Sequence, residues 1–72
     1  MKFEPAELVL EKEDTVLFIN HDLLTHDITE QTRKAWTSTP LRPDSSWRLV
    51  VTESSDYYCT MHPVMKGRLR VK

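Results

Sequence analysis

Cys59 is the only cysteine in a chain of 72 residues, so no disulfide can close within it. A chain this short buries only about 60% of its unfolded surface, and its core is marginal. Domains of this size are held by disulfides, a bound metal, a partner subunit or very dense packing. With the first removed, the other three remain. The length allows one domain, residues 1–72, and leaves no room for a second.

Charge narrows the range of partners. Ten Lys and Arg stand against eleven Asp and Glu, for a net charge of −1. No basic run is present, so the electrostatic footprint of a nucleic-acid binder is missing. No apolar run approaches the ~20 residues of a bilayer-spanning helix. The opening Met1-Lys2-Phe3-Glu4-Pro5 lacks the apolar core of a signal peptide, which predicts either a cytoplasmic protein or a mature form.

The hydrophobic pattern predicts strands. No stretch keeps a 3.6-residue apolar period over three turns. Glu7-Leu8-Val9-Leu10-Glu11 puts Leu8 and Leu10 on one face. Thr15-Val16-Leu17-Phe18-Ile19-Asn20 is apolar on both faces, the mark of a central strand. In Trp47-Arg48-Leu49-Val50-Val51-Thr52, Trp47, Leu49 and Val51 point inward. In Arg68-Leu69-Arg70-Val71-Lys72, Leu69 and Val71 point inward and three cations face solvent. Turn residues separate the runs, as at Arg42-Pro43-Asp44-Ser45. Short strands at intervals near ten residues predict an all-β sandwich or barrel. Trp36 and Trp47 read as core or core rim.

The segment Cys59-Thr60-Met61-His62-Pro63-Val64-Met65 carries the chemistry. It reads C-x2-H-x2-M, and a loop between two strands would turn all three side chains toward one point. Upstream, Asn20 ends a strand and His26 follows six residues later. His26, Cys59, His62 and Met65 together offer two imidazoles, a thiolate and a thioether. Soft sulfur donors favour Cu(I), imidazole suits both copper states, and a His2Cys set with a weak Met is the blue-copper arrangement. Zinc competes for Cys and His, but its structural sites mostly use two or more cysteines and thioether suits it poorly. Taken singly, Cys59 reads as a buried thiol, His62 as a surface histidine and Met65 as core filler. A cysteine nucleophile assisted by His62 would lack an orienting third group.

These motifs resemble those of the cupredoxins, the plastocyanin and azurin family of blue copper proteins, and among them the amicyanin-like members with a short ligand loop. Phe3-x-Pro5 resembles the family's opening F-x-P. Glu13-Asp14-Thr15-Val16-x-Phe18-x-Asn20 resembles its G-D-T-V-x-F-x-N, and Pro43-Asp44-Ser45 its P-G-x-S turn. Asn20-x5-His26, Tyr57-x-Cys59 and His62-Pro63-x-Met65-x-Gly67 are similar to its metal-binding segments.

The resemblance implies a Greek-key β-sandwich binding one copper ion as a one-electron carrier rather than an enzyme. His26, Cys59 and His62 would form the trigonal plane, with Met65 as the weak axial ligand. The spacing selects His26 over the nearby His21. Asn20, behind the ligands, would hydrogen-bond the cysteine sulfur and tie the two ligand loops together. A redox partner would dock on an apolar patch around His62 formed by Leu23, Met61, Pro63 and Val64. The family's usual place of work, periplasm or another extracytoplasmic compartment, would be this chain's too. The alternative function is copper storage, delivery or sensing.

Three departures accompany the resemblance. The strand that usually precedes F-x-P is missing, which predicts an exposed pairing edge and with it a dimer, a swapped form or a module of a larger protein. Glu13, Asp44 and Ser54 or Ser55 stand where the family prefers glycine, which predicts remodelled or strained turns. Ser55 also stands where the family often has tyrosine.

Overall fold

The computed structural model describes residues 2–72. Six strands form: β1 (Glu7–Leu10), β2 (Thr15–Ile19), β3 (Thr29–Glu30), β4 (Ser46–Val50), β5 (Ser55–Cys59) and β6 (His62–Val71). They make two sheets, of order β1-β6-β5-β3 and β2-β4. β1 runs parallel to β6; the other pairs are antiparallel. The chain crosses between the sheets after each of the first four strands, producing the all-β sandwich expected from the strand pattern.

The core between the sheets consists of Leu10, Val16, Ile28, Leu41, Val51, Tyr57 and Leu69. Burying a large aliphatic side chain such as Leu69 contributes about 2 kcal/mol. Tyr57 is the aromatic hub. Phe18 of β2 meets its ring edge-on at 5.4 Å, linking the two sheets, and Phe3 does the same from the N-terminal arm at 4.9 Å. Gly67 lies opposite Tyr57 in the β5–β6 ladder. A Cβ at Gly67 would collide with the Tyr57 ring, so the only glycine of the chain leaves the space that the hub occupies.

Two turns take the left-handed conformation expected for glycine. Glu13 has φ 74° and Asp44 φ 65°. Each is held by a short backbone bond, Glu13 N–H to the Val51 carbonyl at 2.6 Å and Asp44 N–H to the Asn20 carbonyl at 2.7 Å. The β2–β4 ladder therefore imposes the conformation on side chains that disfavour it. Ser54 and Ser55 do not share it; the other positive φ values fall at Lys34 and Thr39.

One strand expectation is corrected, and one strand was not expected. β2 is not central: it pairs only with β4 among the described residues. Its Val16 face packs into the core and its other face is the outside of the sandwich, where Leu17 and Ile19 are each 48% exposed. β3 carries no hydrophobic alternation because its Thr29 and Glu30 are buried polar residues. The Glu30 carboxylate accepts the backbone N–H groups of Thr32, Arg33 and Ala35 at 2.8, 2.8 and 3.1 Å. These bonds, led by those from Arg33 and Ala35, lower its pKa to about 2.

Candidate metal centre

Cys59 ends β5 and His62 begins β6, joined by the two-residue turn Thr60–Met61. Cys59 and His62 are themselves a ladder pair, while the preceding pair is Tyr58 with Lys66. Pro63, Val64 and Met65 therefore have no counterpart on β5 and form a bulge. Bulges of this kind re-aim side chains near functional sites. The expected loop reaching to Met65 is thus shorter than its spacing suggested. Met65 belongs to β6, where it is 4% exposed, and it lines the same cavity as His26.

His26 comes from the segment between β2 and β3. Its backbone N–H donates to the Leu41 carbonyl at 3.1 Å and its carbonyl accepts the Leu41 N–H at 2.6 Å. The side chain is buried, and its Nε2 lies 2.8 Å from Asp22 Oδ2. That hydrogen bond, with one from the Leu23 N–H, holds the Asp22 carboxyl below the usual carboxylate range. His21 is exposed.

Three donor atoms converge. Cys59 Sγ lies 3.6 Å from His26 Nδ1 and 3.8 Å from His62 Nδ1, and the three lie within 4.8 Å of one another. The imidazole rings meet edge-to-face at 4.9 Å. A metal at about 2.0–2.1 Å from nitrogen and 2.3 Å from sulfur requires N···S separations of roughly 3.5–3.8 Å for tetrahedral to trigonal geometry. The observed separations match that requirement, and the donor atoms face one another. The residues fit a thiolate-binding transition metal.

The cysteine is fully buried, and its sulfur accepts a hydrogen bond from the Asp27 backbone N–H at 3.4 Å. The Asp27 carboxylate in turn accepts the Thr60 N–H at 2.6 Å and the Thr60 hydroxyl. Asp27 thus joins the His26 segment to the Cys59 turn. Composition gave no hint of it, because one acid in a loop is an ordinary surface residue; its position directly after His26 was the available signal.

The link expected of Asn20 differs. Its side-chain amide donates to the carbonyls of Leu24 and Leu41, both at 2.9 Å, and its Oδ1 accepts the Asp22 N–H at 2.9 Å. Asn20 shapes the loop leading to His26 and braces it against Leu41. The bond to sulfur belongs to Asp27.

No protein-family model matches the chain. It is 31% identical over 78 aligned positions to amicyanin of Paracoccus denitrificans, covering all of this chain and 60% of that protein. Two solved amicyanin structures superpose with TM-scores of 0.91 at 31% identity, covering all of this chain and 74% of theirs. One is a reduced tryptophan-to-tyrosine variant; the other is the Cu(I) form at pH 4 of a proline-to-glycine variant. The chain thus spans about three-fifths of the curated relative and three-quarters of the solved ones. With fold, sequence and donor cluster in agreement, the chain belongs to the cupredoxins, among their amicyanin-like members.

Proposed function

We propose that this protein is a type 1 copper protein that carries single electrons between redox partners. His26 Nδ1, Cys59 Sγ and His62 Nδ1 hold one copper ion, and Met65 supplies the weak fourth ligand. The observation that carries this reading is the convergence of the two Nδ1 atoms on Cys59 Sγ at 3.6 and 3.8 Å. Bound copper supplies the Cu(I)/Cu(II) couple; the protein supplies a nearly fixed donor arrangement for both states. Four side chains fill the coordination sphere and leave no position for a substrate, so the protein is a carrier and not an enzyme. Membership of the cupredoxins favours electron transfer over copper storage or delivery.

The exit for the electron is His62, half-buried where His26 is buried. Around it in sequence, Val64 is 88% exposed, Met61 43% and Pro63 also open to solvent, and Leu23 on the other ligand loop is 91% exposed. Exposed apolar residues at the loop, turn and bulge around a ligand are suited to a transient partner. These four form the docking patch, and an extracytoplasmic compartment, the periplasm in a bacterium, is its setting. The free edge of β2, with no charged residue in Thr15–Ile19, is where a second copy would pair.

Addition of Cu(II) to the metal-free protein tests the reading. Intense blue thiolate-to-copper absorption with a narrow copper hyperfine splitting in EPR is expected, and Cys59→Ser abolishes both. Colourless protein that does not retain copper overturns it. Sedimentation of wild type beside Leu17→Lys tests edge pairing: a dimer that the substitution dissociates supports it, and a wild-type monomer rejects it.

A further inference from the structure

Asp22 is outside the donor set, yet among the described residues it makes the one side-chain bond to the far side of a donor imidazole. Its Oδ2 lies 2.8 Å from His26 Nε2. An ionised carboxylate only accepts hydrogen bonds, so the proton of neutral His26 must sit on Nε2, and Nδ1 presents its lone pair toward Cys59. The carboxylate is itself held. Its Oδ1 accepts the Leu23 N–H at 2.7 Å, and the Asp22 N–H donates to Asn20 Oδ1 at 2.9 Å. Asn20 is fixed in turn by the carbonyls of Leu24 and Leu41. Backbone, amide, carboxylate and imidazole therefore form a chain in which each member orients the next.

We infer that Asp22 is a positioning residue that fixes the His26 tautomer and, through its charge, favours Cu(II) over Cu(I), lowering the reduction potential of the site. The inference rests on the copper reading proposed above. A carboxylate behind a metal-bound imidazole raises the basicity of that ligand, and loss of such partners typically costs 10–100-fold in metal affinity. A negative charge stabilises the more highly charged metal state more strongly, which gives the effect its direction. The Asp22 side chain is 39% exposed, so solvent screens part of that charge and the lower end of the range applies.

The test compares wild type with Asp22→Asn, each loaded with copper. Asparagine removes the charge and keeps one acceptor oxygen, which can serve either the Leu23 N–H or the His26 Nε2–H. The expected result is blue protein in both, with Cu(II) binding weakened about tenfold relative to Cu(I), a rise of 59 mV in a one-electron potential. Asp22→Glu, which restores the charge, moves the potential back toward wild type. An unchanged potential in Asp22→Asn overturns the inference while leaving the copper reading intact. Wild type that takes up no copper overturns the copper reading instead. Should Asp22→Asn fail to fold, nitrogen-15 NMR of metal-free wild type near neutrality decides the tautomer. Neutral His26 protonated on Nε2 is required; protonation on Nδ1 overturns the assignment.

Discussion

The Asp27 amide N–H points at Cys59 Sγ from 3.4 Å, so the residue that follows one imidazole donor in the chain is bonded to the sulfur donor. The same residue's carboxylate grips Thr60, the residue that follows the cysteine. Two segments 32 positions apart in sequence are thereby locked in register at the point where three donor atoms meet. Asp27 is buried, so its removal leaves the Thr60 donors without this acceptor.

Asp27→Ala is accordingly expected to lower stability by about 1–3 kcal/mol, the loss of two hydrogen bonds to Thr60 at roughly 0.5–1.5 kcal/mol each. Its backbone N–H remains, so the sulfur keeps its donor while the turn loses its anchor. Denaturant unfolding measures the first effect. A copper EPR spectrum broader than that of wild type measures the second.

Metal removal gives a second expectation. Copper held by the folded donor cluster stabilises the fold by about 2.7 kcal/mol at a free concentration one hundred times Kd. Thermal melting of copper-loaded protein should fall on chelation, and the drop should vanish in Cys59→Ser. An equal response in both proteins would place the metal elsewhere.

Glu30 supplies a pH dependence. Its folded pKa of about 2 lies below the ordinary value of 4.5. The stabilisation from its ionised form is therefore complete above about pH 4.5 and is lost as pH falls toward 2. Glu30→Gln should be less stable than wild type at pH 7, and the difference should close across that window. Unfolding curves for both proteins between pH 7 and 2 check it; a constant difference would show that charge is not the cause.

Glu13 offers a gain. A non-glycine residue in the left-handed region costs roughly 1–2 kcal/mol, while glycine adds unfolded-state entropy that offsets part of the relief. Glu13→Gly should raise stability by about 0.5–1 kcal/mol in denaturant titrations. Asp44→Gly should gain less, because aspartate tolerates positive φ better.

Much of the centre was legible because its donors are chemically distinctive. Cys59 is unique in the chain, His62 and Met65 follow at short spacings, and His26 stands six residues beyond a strand end. The groups that orient the donors were not legible. Asp22 and Asp27 are common residue types, and nothing local distinguishes a carboxylate that holds a ligand from one that faces water. Asn20 was noticed at the right place and given the wrong bond, since spacing locates a side chain without saying which carbonyl it meets. β2 misled for a related reason. Alternation shows how apolar each face is, whereas Leu17 and Ile19 are exposed because no layer packs over the outer face of β2 among the described residues. β3 left no trace, as its burial is satisfied by hydrogen bonds rather than apolar contact.

β6 runs from His62 to Val71, paired with β5 at His62 and again from Lys66, and with β1 from Arg68. His62 and Met65 thus ride on the strand that spans the larger sheet and carries Leu69 into the core. His62 is paired with Cys59 itself and Met65 adjoins the Tyr58–Lys66 pair, so drawing the donors apart means opening the β5–β6 ladder on either side of the bulge. Escape of a bound ion should then keep time with cooperative opening of the sheet, and the slowest backbone amides to exchange with deuterium should be those of β5 and β6.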